Sequence, residues 1–242
     1  MPRPTRKRVE PIRTEALLVR RVPVGEADLI ITLFTEARGM MGAVARAARR
    51  TSKRFSGLEP MHLLRVSLEE RAGNDLALLV EASIAKPRLH LTAALDRLEA
   101  AGRALRWVRG VAPPGTPEPG LFGTVNDLLD ALDVAPPEGS VNAHLATAGL
   151  RMLGNIGFGL VLDRCVHCGK PCAPEATACL DAEAGGLVCR ACGGARLVVR
   201  SALRARIEAA AAGDDEAILA EDAQVVVDLV EAALSAHAAP PR

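Results

Sequence analysis

The chain has 242 residues, 30 Lys or Arg against 29 Asp or Glu, and 49% hydrophobic residues. That length excludes a single small module and points to two or three domains with buried cores. With no Tyr, one Trp and four Phe, the apolar content is mostly Ala, Leu and Val, which favours helices over a large aromatic-rich sandwich.

The formal net charge of +1 hides an asymmetry. Residues 1–54 hold thirteen basic side chains against five acidic ones, net +8, and the rest of the chain is net −7. A basic N-terminal domain on an otherwise acidic chain points to an anionic partner. The basic N-terminus lacks a following apolar core and cleavage site, and no run reaches transmembrane length, so a cytoplasmic protein without a membrane partner is expected.

Residues 1–9 are Pro- and Arg-rich and are expected to order only on binding. Five short strands follow, at Ala16–Val22, Leu29–Thr35, Met40–Ala47, His62–Glu70 and Leu76–Ile84, separated by turn residues such as Gly25-Glu26 and Gly73-Asn74-Asp75. Five strands at this spacing suit a small closed barrel of the OB type. Helical periodicity begins near Leu91, with Thr92 as the expected cap, and runs through Leu95, Leu98, Leu105 and Val108. After a Pro- and Gly-rich loop at 111–120, helices are expected at 121–133 and 141–153, with Pro136-Pro137-Glu138-Gly139 breaking the chain between them. Two more follow, one capped by Ser201 and ending near Gly213, the other at 221–237. The predicted fold is therefore α+β: a five-stranded OB-fold barrel over 1–84, then an all-helical domain over 85–242 with a cysteine knuckle inserted at about 163–196.

That knuckle is Cys165-Val166-His167-Cys168 answered by Cys189-Arg190-Ala191-Cys192. Two C-x-x-C pairs twenty residues apart match a zinc-site spacing, because each pair can grip one tetrahedral ion from a tight turn. Gly169 and Gly193-Gly194 let the chain enter positive φ after each pair, and Gly185-Gly186 supplies a hairpin turn. Four thiolates fill the coordination sphere, so the expected ion is one structural Zn2+ on Cys165, Cys168, Cys189 and Cys192. Cys172, Cys179 or His167 remains an alternative ligand, and a disulfide framework would need an oxidising compartment.

Among residues 46–54, Arg46, Arg49, Arg50, Lys53 and Arg54 concentrate five cations on one strand-to-strand connection. Such a segment can neutralise phosphates of DNA; alone it would be a solvated loop. Phe55 is the one candidate stacking side chain, with packing under the loop its rival, while Phe34, Trp107 and Phe158 are expected in cores. No phosphate loop, dinucleotide fingerprint, zinc-deaminase, H-E-x-x-H or G-x-S-x-G motif occurs, so the chain is expected not to be an enzyme. The helical part offers Arg200, Arg204 and Arg206 beside Leu203 and Ile207 as a candidate partner-binding set, with an Arg204–Glu208 ion pair as the simpler account of one of them.

Taken in order, these motifs resemble the RecO family of bacterial recombination mediators over residues 12–200. The resemblance is carried by Gly25-Glu26-Ala27-Asp28-Leu29-Ile30, Leu33-Phe34-Thr35-Glu36, Gly39, the 46–54 segment, Leu58-Glu59-Pro60, Leu150-Arg151-Met152-Leu153-Gly154 and the knuckle. It implies a role in DNA repair and recombination after DNA damage: sequence-independent binding of single- and double-stranded DNA, annealing of complementary strands, and loading of RecA onto SSB-coated strands together with RecR, without nucleotide hydrolysis. It also implies contact with the acidic C-terminal tail of SSB, and a nucleoid association. The chain departs from the family at Val24, where an aromatic is common, and at Arg46-Ala47, where Lys-Gly is usual; some members lack the cysteines. The rival reading is a zinc-ribbon protein–protein adaptor that does not bind DNA.

Overall fold

The computed structural model describes residues 10–50, 54–55, 57–70, 73–134 and 141–237. The tail 1–9, Lys53 and the breaker at 136–139 lie outside them. The chain divides into two compact units, residues 1–88 with 113–122, and residues 89–112 with 123–242.

In the first unit β1 (Ile12–Val24), β2 (Asp28–Thr35), β3 (Gly39–Ala45), β4 (Leu63–Glu69) and β5 (Ala77–Lys86) form a closed barrel in the order β1-β2-β3-β5-β4. All pairings are antiparallel except β3–β5, whose two paired positions, Ala43–Ala77 and Val44–Leu78, close the barrel. Strand alternation puts Ala16, Leu18, Ile31, Leu33, Ala43, Leu64, Val66 and Leu79 inside, as expected for an OB-like core. Val19 is the extra residue of a bulge between Leu18 and Arg20, so β1 changes face there and runs on beyond its pairing with β4 as the edge of a sheet with β2 and β3.

Residues 113–122 also belong to this unit. Gly115 donates its N–H to the Met40 carbonyl at 3.0 Å, and the rings of Phe34 and Phe122 lie 5.4 Å apart. Gly39 makes this strap possible. Its φ is +62°, and a Cβ there would lie 1.9 Å from the Thr116 carbonyl oxygen. A loop in the sequence is thus a barrel cover in the structure.

The second unit contains α1 (Leu95–Val111), most of α2 (Pro119–Val134), α3 (Val141–Asn155), α4 (Ser201–Ala212) and α5 (Ala220–His237). Helix α3 is buried continuously from Leu145 to Leu150, so it is the centre on which the other helices pack, consistent with its Ala-, Leu- and Gly-rich sequence. Between α3 and α4 the knuckle carries β6 (Val161–Cys165), β7 (Ala178–Asp181), β8 (Gly186–Leu187) and β9 (Leu197–Val199) in the order β6-β8-β7-β9.

The caps differ from expectation. Thr92 sits in a short 3-10 turn and its hydroxyl bonds back to the Leu89 carbonyl; the Asp133 carboxylate serves this end instead, accepting from the His90 and Leu91 N–H groups. Ser201 is the first helical residue of α4 rather than its cap, and Arg200 holds the capping position without a side-chain bond. Phe34 and Trp107 are core residues, but Phe158 is 41% exposed and stacks on His237 with centroids 3.8 Å apart.

Candidate metal centre and nucleic-acid interface

Cys165 ends β6, and its carbonyl accepts from Gly169 N–H at 2.9 Å, which folds Val166–Gly169 into a tight turn. The second pair repeats the device: Cys192 N–H and Gly194 N–H both reach the Cys189 carbonyl, at 2.9 and 3.1 Å. The turn glycines take the positive φ expected of them, Gly169 at 71°, Gly193 at 108° and Gly194 at 66°. The β7–β8 hairpin, closed by Asp181 Oδ1 accepting from Glu183 and Ala184 N–H, brings the second turn up to the first.

The result is one group of four sulfurs, those of Cys165, Cys168, Cys189 and Cys192, all within 4.8 Å of one another. Cys168 and Cys189 Sγ are 3.7 Å apart. A tetrahedron of thiolates at about 2.3 Å from a central ion has edges of about 3.8 Å, so the sulfurs already stand where a metal ion needs them. This set can hold a metal ion.

The electrostatics agree. The Cys165 thiol is lowered to about 6, first by the Cys189 N–H aimed at its sulfur at 3.4 Å and next by the N–H of Cys168. The Cys192 thiol is raised to about 12, first by hydrogen bonding to the Cys189 sulfur, then to that of Cys168. One thiolate forms readily in a cage of N–H donors, and the last proton is retained among crowded sulfurs. A cation held by the four sulfurs would remove that conflict, because thiol ligands bind metal in their deprotonated form.

Neither Cys172, Cys179 nor His167 belongs to the group. Cys179 is mid-strand in β7, opposite Val198. Cys172 is turned toward α4, where Arg204 Nη1 lies 2.7 Å from its sulfur. Arg204 is 4% exposed and its Nη2 donates to the Ala173 and Pro174 carbonyls, both at 2.6 Å. This corrects two expectations. Arg204 is tied to the knuckle rather than to Glu208, and its burial takes it out of the partner-binding set. Arg206 is paired with Asp222, while Arg200 is exposed.

On the barrel, the basic connection begins as a turn directly after β3. Ala47 N–H donates to Asp28 Oδ1 at 2.8 Å, Arg49 N–H to the Ala27 carbonyl at 3.0 Å, and Arg49 Nη1 to the Gly25 carbonyl at 3.2 Å. The Gly25-to-Asp28 turn therefore serves as the dock for the cations, a role that its sequence did not reveal. Ala47 adopts φ 57°, the left-handed conformation in which a glycine would be unstrained. Arg46, Arg49, Arg50 and Arg54 are all exposed; Lys53 lies outside the described residues. Phe55 is 9% exposed in the barrel core, with the Arg54 guanidinium 5.3 Å from its ring centroid, so it packs under the connection and is not a free stacking platform.

Known families match both units. The model for the recombination protein O N terminal matches residues 9–88, and that for the recombination protein O C terminal matches 93–242. The chain belongs to the RecO family. A DNA repair protein RecO from Anaeromyxobacter sp. (strain K) is 35% identical over 182 residues, covering 75% of this chain and 70% of that protein. Those of Geobacter metallireducens and Desulforudis audaxviator are 32% and 33% identical, over 76% and 74% of this chain and 74% and 70% of theirs. Membership places the chain in DNA repair and recombination. Among the described residues no helix is long and apolar enough to cross a membrane.

Proposed function

We propose that this chain is a non-enzymatic recombination mediator that binds single- and double-stranded DNA through the backbone and anneals complementary strands. Together with RecR it helps load RecA onto SSB-coated strands in the cytoplasm, on the nucleoid. The observation that carries the reading is the exposed arginine turn docked on the Gly25–Asp28 turn. Arg46, Arg49 and Arg50, with Lys53 and Arg54 beyond them, meet phosphates, which fixes a strand without reading its bases. A protein that holds backbones and leaves base edges free lets two strands search for pairing. SSB's acidic tail finds a cation at exposed Arg200, although Arg204 and Arg206 are committed within the fold.

The four cysteines suit one structural Zn2+, because a complete thiolate set leaves no position for water or substrate. Such an ion would cross-link the two knuckle turns and stabilise the packing of the knuckle. The residues themselves supply the N–H cage around Cys165 and the Arg204 tie to α4.

The test is annealing of complementary oligonucleotides by purified protein without ATP or added divalent metal. Acceleration over the uncatalysed rate is expected. No acceleration, or strand cleavage or ATP hydrolysis abolished by a point substitution in this chain, would overturn the reading.

A further inference from the structure

The outward face of the β1–β2–β3 sheet is apolar, but the chain covers only part of it. Cross-strand partners Leu17 and Phe34, at the strap, are 1% and 0% exposed. Beyond the Val19 bulge the same face continues with Arg20, Val22 and Val24 opposite Thr32, Ile30 and Asp28, and Val44 opposite Ile30. Paired residues project to one side of a sheet, so Val22, Val24, Ile30 and Val44 lie together. Val22 is 36% exposed and Val24 43%, while Ile30 and Val44 are half-buried.

Cations frame this apolar area. Arg20 lies on the same face two residues before Val22, Arg46 follows Val44 by two, and the docked turn adds Arg49 and Arg50 beside the Gly25–Asp28 turn. None of the four has an ion-pair partner among the described residues, and all are exposed. Of the three nearby acids, Asp28 receives the Ala47 N–H, Glu26 is exposed on the turn, and Asp75 is exposed beside Val44 and Arg46, so the four arginines still outnumber them. An occupant must therefore be anionic along its length and present flat apolar surface between its charges. Single-stranded nucleic acid does both, because its unpaired bases expose the faces that a duplex hides.

We propose that Val22, Val24, Ile30 and Val44 form an aliphatic seat for the unpaired bases of single-stranded DNA, framed by Arg20, Arg46, Arg49 and Arg50. The inference rests on the DNA-binding reading above and adds the means by which single strands are told from duplex. Aliphatic contacts accept any base and hold it less tightly than an aromatic ring does, which suits a strand that must be released into pairing. Val24 is 43% exposed, so the position has room for a larger side chain.

The decisive variant is Val24→Trp, titrated with oligo(dT) and with duplex. Trp107, the chain's one other tryptophan, gives a background that wild-type titration removes. The introduced indole should be quenched by oligo(dT), with single-strand affinity raised about five- to tenfold, while duplex affinity and the salt dependence stay unchanged. Val22→Asn/Val24→Asn should weaken single-strand binding about three- to tenfold and leave duplex binding alone. A folded Val24→Trp variant that binds DNA with wild-type salt dependence but shows no quenching overturns the seat and leaves the DNA reading standing. A concentration-dependent blue shift without DNA would assign the face to a second copy of the chain and also overturn it. Failure of the wild type to bind DNA would remove the reading on which the seat depends.

Discussion

At the scale of single residues, several side chains are committed to contacts that sequence neighbours do not reveal. Glu231 on α5 takes Arg103 Nε at 3.0 Å and Nη2 at 2.9 Å, and Trp107 Nε1 at 3.2 Å. The Arg103 guanidinium, bonded to it first and by charge second, lowers the Glu231 carboxyl from its ordinary value, and the Trp107 bond adds to this. A lowered folded-state value means that the clamp stabilises the fold above the unfolded carboxylate range, near pH 4.3, and that this is lost as pH falls through the folded value. The Glu231 side chain is 39% exposed, so solvent screening holds the contribution to about 0.5–1 kcal/mol. Glu231→Gln should lower unfolding stability by that amount at pH 7, with Trp107 fluorescence as the probe. The gap to wild type should narrow as the pH drops below about 4. A gap constant across the acid range would show that charge is not the cause.

At the scale of elements, the knuckle behaves as a unit. Its strands are short, two residues in β8 and three in β9, too few to hold together by ladder bonds alone. A metal ion on the four sulfurs would supply what the sheet lacks. Purified protein should contain one zinc ion per chain, and Cys165→Ser or Cys192→Ser should lose it and expose the knuckle to proteolysis. Cys172→Ser should keep the metal, because its sulfur faces Arg204; loss of metal in that variant with retention in Cys168→Ser would reverse the ligand assignment. Spacing made this centre legible, since x2 within each pair places both thiols on one turn. The strands were legible for a similar reason, alternation being a local signal. The strap was not: nothing in Pro113–Pro119 encodes its partner, and only Gly39, far away in sequence, leaves room for Thr116. Arg204 was misread because a charge on a helix surface and one buried beneath a knuckle look alike until the knuckle is in place.

At the scale of the whole molecule, the charge asymmetry is the property most open to measurement. The first 54 residues carry net +8 while the remainder is net −7, so a polyanion is drawn to one part of the chain and repelled from the other. Among the arginines, Arg49 both carries charge and props the turn through the Gly25 carbonyl, so replacing it mixes two effects. Among the described residues Arg46 and Arg50 have no side-chain bond to lose, and Arg46→Gln/Arg50→Gln removes charge with the dock intact. Each phosphate contact on a single strand contributes about 0.7 to the slope of log affinity against log salt. Loss of two contacts should flatten that slope by about 1.4 and weaken binding to all sequences alike. The variant should retain its zinc and its unfolding midpoint, since neither side chain is part of the core. A loss that depends on base sequence would mean base readout, which a phosphate contact cannot give. An unchanged slope in the folded, metal-loaded variant would place the strand on another surface and leave this turn a solvated loop.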